Sequence, residues 1–287
     1  MPQGISIHIG LNHLDPTHYR DQNGKPWSGD LIGCESDAQA MRDLATARGL
    51  HAGAPLLSQT ATTQAVLDAL DAASRQLDAG DLLLLTYSGH GGQVADRNGD
   101  EDDFLDETWA LFDRELVDDE LYARWGQFNA GVRIVVLSDS CHSGTVVKVA
   151  VREEERARRL LRHAMTQDTP PPRFRALPPE VVAGTYVANR GVYDAIQREY
   201  PAGNKVEIGA TVLLLAGCKD DQLSEDGPIN GLFTAALLHV WNDGRFSGDY
   251  HQFFAAIQHD MPTKQQPNFT LVGAPNAAFE QQEPFTV

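Results

Sequence analysis

The sequence predicts an α/β protein with a central, mostly parallel β-sheet flanked by helices on both faces. Three observations predict it. Leu82-Leu83-Leu84-Leu85, Ile134-Val135-Val136-Leu137 and Ala210–Ala216 are short continuous apolar runs, as strands covered on both faces require. Segments of helical spacing alternate with such runs, a β-α-β-α-β order that argues parallel pairing. Two of the runs end in polar turns, Ser88-Gly89-His90-Gly91-Gly92 and Ser138-Asp139-Ser140-Cys141-His142-Ser143-Gly144. Open α/β sheets carry their chemistry just past the carboxyl ends of strands.

Taken in order, Ile5 to Leu11 alternates and is β-branched, which predicts a first strand. His13 to Gly29 is polar and turn-rich, hence a loop. Asp37 to Arg48 places Ala38, Met41, Leu44 and Ala45 at helical spacing. Leu56-Leu57-Ser58 reads as a short strand. Thr63 to Ala79 puts Val66, Leu67, Leu70, Ala73 and Leu77 on one helical face, with Thr62 or Thr63 as its cap. The strand ending at His90 follows. Asp96 to Asp103 is densely acidic, Trp109 to Phe112 is a brief apolar return, and Asp118-Asp119-Glu120 opens a helix through Trp125. The strand ending at Cys141 comes next.

The pattern then weakens from Lys148 to about Lys205. Val151 to Ala164 could form an amphipathic helix, while Pro170-Pro171-Pro172 and Pro178-Pro179 argue against regular structure. Between Lys148 and Arg175, eight Lys or Arg stand against four Asp or Glu, a local +4 in a chain of formal charge −17. After the strand at 210–216, Gly231 to Trp241 and Tyr250 to Met261 read as helices and Phe269 to Val272 as a last strand. The chain is therefore read as one domain in three stretches: 1–147, a basic, proline-rich intervening segment 148–206, and 207–287.

Hydrophobic residues make up 42% of the 287, enough for a sizeable core. The net charge disfavours nucleic acid and anionic membranes and favours cationic partners. No apolar run reaches membrane-spanning length and the amino terminus begins no signal peptide. Three widely spaced cysteines, Cys34, Cys141 and Cys218, make no disulfide framework and fit a reduced, cytoplasmic protein. Phosphate-binding glycine loops, a dinucleotide fingerprint and H-E-x-x-H are missing. Six residues after Cys141 stands Val147, where a cysteine phosphatase would need arginine.

His90 and Cys141 thus sit at two strand ends, 51 positions apart. Nucleophilic cysteine catalysis needs a thiol with a base or ion-pair partner. Cys141 is the candidate nucleophile and His90 its partner, lowering the thiol pKa and later protonating the leaving amine. His142 is a competing base, but its adjacency to Cys141 points its side chain elsewhere. Glycines around His90 let backbone approach a substrate closely.

Four motifs carry a resemblance: Y-S-G-H-G-G-Q (87–93), N-G-D-E-D-D-F-L-D-E (98–107), D-S-C-H-S-G-T (139–145) and G-C-K-D-D-Q (217–222), with L-I-G-C-E-S-D-A (31–38) as a fifth. The chain resembles the caspase-like clan of cysteine peptidases, and is most similar to metacaspases and their bacterial relatives. The likeness covers roughly residues 3–147 and 207–240. Caspases proper carry Q-A-C at the nucleophile; D-S-C is the metacaspase form.

The resemblance implies a caspase-like fold and a cysteine endopeptidase cutting after Arg or Lys. It implies that the N–H groups of Gly91 and Cys141 form the oxyanion hole, and that Asp37, Asp139, Cys34 and Ser88 line the S1 pocket, where paired carboxylates would hold a guanidinium. Asp37 and Asp139 could alternatively be a helix cap and a turn cap. The acidic loop matches positions one, three, five and twelve of an EF-hand at Asp96, Asn98, Asp100 and Glu107, but position six is Glu101 rather than Gly, and an EF-hand is rejected. A different calcium site, drawing on Asp106, Asp118 and Asp119, is implied by the family. Its fourth carboxylate would fall near Lys148, a cation, so a calcium site and a solvated acidic loop stand side by side and no cofactor is required. Expected partners are proteins or peptides with Arg or Lys and a separate activator protein. A catalytically inactive caspase-like scaffold is the alternative. Finally, the basic segment is expected to enter the cleft and be cut after one or more of Arg156, Arg158, Arg159, Arg162, Arg173 and Arg175.

Overall fold

The computed structural model describes residues 2–97, 99, 105–141, 173–200, 205–218 and 224–287. Its elements run β1 (Gly4–Gly10), α1 (Cys34–Ala47), β2 (His51–Ala52), β3 (Leu56–Leu57), α2 (Thr63–Gln76), β4 (Leu82–Ser88), β5 (Gly91–Ala95), β6 (Leu105–Ala110), β7 (Glu115–Val117), α3 (Asp118–Trp125), β8 (Arg133–Asp139), β9 (Arg173–Phe174), α4 (Pro179–Glu199), β10 (Thr211–Ala216), β11 (Glu225–Asp226), α5 (Leu232–Trp241), α6 (Tyr250–Asp260), β12 (Asn268–Gly273) and α7 (Ala277–Glu280).

The central sheet has the order β12-β10-β8-β4-β1-β2, with β3 also on β1. All pairings are parallel except β10 with β12, so the expected mostly parallel sheet is present. Side chains alternate across it. Leu83, Leu85, Ile134, Val136 and Val212 face the layer of α2 and α3. Leu82, Leu84, Val135, Leu137, Leu213 and Leu215 face α1, α5 and α6. Two buried faces explain why these strands read as unbroken apolar runs. Thr62 caps α2, accepting from the Ala65 N–H at 3.2 Å.

Parallel register sets the site. Pairing of β4 with β8 runs from Leu82 opposite Arg133 to Ser88 opposite Asp139. Both strands therefore end at the same level, and His90 and Cys141 leave from neighbouring carboxyl ends. A separate antiparallel sheet, β5-β6-β7, lies beside this edge.

Two sequence expectations need correction. Pro178-Pro179 does not prevent regular structure: Pro179 opens α4, a helical stretch of 21 residues kinked at Asn189. Proline at the first helical position loses only an N–H that has no intrahelical partner anyway. Val181, Thr185, Tyr193 and Ile196, all buried, anchor its inner face. The stretch after Gly92 likewise contains β5 and β7, which the sequence reading passed over. The helix expected over 151–164 lies outside the described residues.

Candidate active site

The His90 side of the site is built from the loop leaving β4. Tyr87 is fully buried, stacks on Trp109 at 4.5 Å between ring centroids, and donates its hydroxyl to the carbonyls of His90 (2.6 Å) and Ala110 (3.0 Å). The Ala110 N–H donates to the same His90 carbonyl at 2.9 Å. These bonds fix the backbone of His90. Its ring lies 5.0 Å from Trp27, and Nε2 donates to the Gly29 carbonyl at 2.9 Å. That contact assigns the proton to Nε2. Burial lowers the His90 pKa to about 4, against opposing contributions from the backbone of Gly29 and of Ala176. The imidazole is therefore neutral at pH 7 in this state.

Cys141 follows β8 by two residues and is fully buried. Its Sγ accepts from the Ser224 N–H at 2.5 Å. Gly91 packs so closely on this backbone that a Cβ there would lie 1.9 Å from the Cys141 carbonyl oxygen; only glycine fits.

A strand of the chain's own occupies the site. β9 pairs antiparallel with β11, Phe174 opposite Glu225 and Arg173 opposite Asp226. The Arg175 N–H donates to the Ser224 carbonyl at 3.0 Å. The Arg175 carbonyl oxygen accepts from the N–H of Gly91 at 2.9 Å and of Cys141 at 3.1 Å. On the far side of that carbonyl, Leu177 donates to the Gly91 carbonyl at 2.8 Å. The two N–H groups expected to form the oxyanion hole thus converge on one peptide carbonyl.

The Arg175 side chain is wholly buried. Its Nη2 donates to Asp37 Oδ2 at 2.7 Å and to Asp226 Oδ1 at 2.9 Å. Its Nη1 donates to Ser88 Oγ at 2.7 Å and pairs with Asp139 Oδ2 at 3.0 Å. All four S1 residues expected from the sequence meet here: Cys34, also fully buried, is close enough to Ser88 and Arg175 to feel both. Neither aspartate is merely a cap. The Asp37 carboxylate accepts from Ser88 Oγ at 2.6 Å, Asn230 Nδ2 at 2.8 Å and the Gly231 N–H at 3.1 Å. Burial, countered by the Arg175 charge and reinforced by Asp139, raises its pKa to about 6. The Asp139 carboxylate accepts from Ser224 Oγ at 2.9 Å, the Thr234 N–H at 3.0 Å and Thr234 Oγ1 at 2.8 Å. Thr234 lies in the first turn of α5, whose N-terminus favours an anion. Burial pushes the Cys34 thiol far up.

Sequence reasoning missed Asp226, Asn230, Gly231 and Thr234. The signal at Asp226 is weak, since Asp-Gly-Pro reads as a turn. Of the six arginines expected at the cleft, Arg175 lies in it and Arg173 is exposed beside it. Arg156, Arg158, Arg159 and Arg162 lie outside the described residues, as does His142. Among the described residues no three His, Cys, Asp or Glu side chains group to hold a metal. Asp106 and Asp119 are buried, and the Asp118 carboxylate accepts from the Asp119 N–H at 3.0 Å.

A mostly parallel sheet with helices on both faces, carrying a histidine and a cysteine at adjacent strand ends, is the architecture of a caspase-like fold. The caspase-domain family model matches residues 16–278, and the chain belongs to this family of cysteine peptidases and is related to metacaspases. Metacaspase-1 of Schizosaccharomyces pombe is 29% identical over 266 residues, 82% of this chain and 58% of that protein. Metacaspase-1 of Candida albicans is 32% identical over 202 residues, 63% of this chain and 44% of that protein. The chain thus spans about half the length of the curated relatives it matches. Among solved structures, protein GSU0716 from Geobacter sulfurreducens superposes with a TM-score of 0.86 at 46% identity, covering 100% of this chain and 99% of that one. Caspase-1 from Spodoptera frugiperda, at 12% identity, shares the fold, with a TM-score of 0.51 over 94% of this chain and 86% of that one. No helix among the described residues is long and apolar enough to cross a membrane.

Proposed function

We propose that the protein is a cysteine endopeptidase that cleaves after Arg or Lys through Cys141 and His90, and that it first cleaves itself between Arg175 and Ala176. One observation carries the reading. Arg175 sits as a P1 residue would, with its guanidinium among carboxylates, its carbonyl oxygen on the N–H groups of Gly91 and Cys141, and its upstream chain added as a strand to β11. Strand addition is a general mode of peptide recognition.

In the proposed mechanism the Cys141 thiol passes its proton to His90 Nδ1 as Sγ attacks the Arg175 carbonyl carbon. The oxyanion forms where two backbone donors already point. Collapse breaks the Arg175–Ala176 bond, His90 returns the proton to the Ala176 nitrogen, and water then hydrolyses the thioester to give an Arg175 carboxylate. Before the cut, the filled S1 pocket keeps other substrates out. Clearing it is where a separate activator protein would act. The three cysteines are free, which supports a reducing, cytoplasmic setting.

The test is intact-mass analysis of purified wild type beside Cys141→Ala, together with hydrolysis of fluorogenic peptides bearing Arg, Lys or Asp at P1. Fragments meeting at Arg175–Ala176 in wild type alone, with turnover of the basic peptides, are expected. Cuts shared by Cys141→Ala, or preference for Asp, would overturn the reading. An inactive scaffold would give no turnover at all.

A further inference from the structure

Resting on that reading, we infer that Asp226 is a third carboxylate of the S1 pocket and makes this peptidase select arginine over lysine at P1. The two terminal nitrogens of the Arg175 guanidinium are held by different sets of acceptors. Nη1 meets Ser88 Oγ and Asp139 Oδ2, and Nη2 meets Asp37 Oδ2 and Asp226 Oδ1. A planar fork with two donors on each terminal nitrogen matches that arrangement. A lysine ammonium ends one bond sooner and has three N–H groups around a point. It cannot reach the acceptors on both terminal nitrogens together, so at least one buried carboxylate loses its partner.

Asp226 is the carboxylate that arrives from the other half of the chain. Its side chain is 1% exposed and is itself held in place. Its Oδ2 accepts from the Ile32 N–H at 2.7 Å, and Oδ1 from the Gly33 N–H at 3.1 Å as well as from Arg175. These backbone donors hold the carboxylate against Nη2 of the guanidinium, one bond beyond where a lysine ammonium would end. A buried polar site built for one donor set rejects an analogue that leaves an acceptor unpaired.

The test uses the whole chain and a double-mutant cycle. The rate of self-cleavage at position 175 is measured in wild type, Arg175→Lys, Asp226→Asn and the double variant, and hydrolysis of matched Arg and Lys fluorogenic peptides is measured in wild type and Asp226→Asn. Wild type should favour Arg over Lys, and Asp226→Asn should slow the arginine reactions on the order of 10- to 100-fold, as for a charge-assisted hydrogen bond, while slowing the lysine reactions far less. Asp226→Glu should recover part of the arginine preference. Equal slowing of arginine and lysine reactions would mean that Asp226 only holds the Ile32–Gly33 loop, and would overturn the inference with the peptidase reading intact. Equal wild-type rates on Arg and Lys would do the same. No cleavage of any basic substrate would overturn both.

Discussion

Removing the arginine from its pocket should expose how much of the fold rests on one cation. Arg175 pairs with Asp37, Asp139 and Asp226, each within 3.0 Å and each with its side chain almost wholly buried. Taking away one partner of a buried charge cluster costs about 3–5 kcal/mol. At about 2 °C per kcal/mol for a chain of this size, that is a fall in Tm of roughly 6–10 °C. The comparison is made in Cys141→Ala, so that neither chain is cut: Cys141→Ala against Cys141→Ala/Arg175→Ala. The loss should also depend on pH. Asp37 already has a pKa of about 6, raised mainly by burial, and without the guanidinium it goes higher. At pH 5 Asp37 can take up a proton and relieve the repulsion; at pH 8 it cannot without cost. The destabilisation should therefore be larger at pH 8. Agmatine, a free guanidinium, should raise the Tm of the double variant in proportion to ln[agmatine] at saturation and leave Cys141→Ala unmoved. If the double variant melts with Cys141→Ala and ignores agmatine, the pocket is not what holds Arg175.

Other outcomes follow from the same geometry. His90→Ala should retain the fold and lose activity on the order of 10²–10⁴-fold, checked by peptide hydrolysis beside circular dichroism. Because Asp37 must be ionised to hold a guanidinium, and its pKa in the emptied pocket lies above the value of about 6 that it has beside Arg175, KM for an arginine peptide should rise as pH falls from 8 to 5, with kcat less affected; a flat KM over that range would remove Asp37 from recognition. Glu115 is fully buried, accepts from Thr108 Oγ1 at 2.6 Å, and has a pKa raised by burial to about 7. A raised carboxyl pKa means the folded state binds the proton more tightly, so stability should decline between about pH 4.5 and 7 and level off above. Glu115→Gln should flatten that decline, measured by urea denaturation across pH, and equal slopes in both proteins would refute it.

The sheet, and the placement of His90 and Cys141 at neighbouring strand ends, were legible because both follow from strand chemistry. Runs such as 82–85 and 134–137 have no polar alternation, which only burial on two faces allows. Glycine and serine immediately after them mark where side chains are presented. The Asp37 and Asp139 pocket came through resemblance, since nothing in local pattern brings residues 102 positions apart together. Helix α4 was hidden by Pro178-Pro179, although Val181, Thr185, Tyr193 and Ile196 carry helical spacing. Asp226 was out of reach for a different reason. Its role depends on β11 pairing with β9, a two-residue ladder between segments 51 apart, and two-residue strands have no periodicity to read.

The pocket that grips Arg175 is assembled from both sides of the Arg175–Ala176 bond. Asp37, Ser88 and Asp139 come before it, and Asp226, Asn230, Gly231 and Thr234 come after it. Asp139 is fixed by Thr234, and Asp37 by Asn230 and Gly231, so neither carboxylate is set by its own half alone. The halves are joined beneath the site by β8 and β10, paired in parallel from Arg133 opposite Thr211 to Ser138 opposite Ala216. The strands are buried on both faces by Leu213 and Leu215 on one side and Val136 and Val212 on the other. A break at Arg175–Ala176 therefore severs the chain without severing the sheet. The same physical reason that makes these strands read as apolar runs would let the chain keep its pocket if the proposed cut were made: burial on two faces would hold the halves together without the covalent link between them.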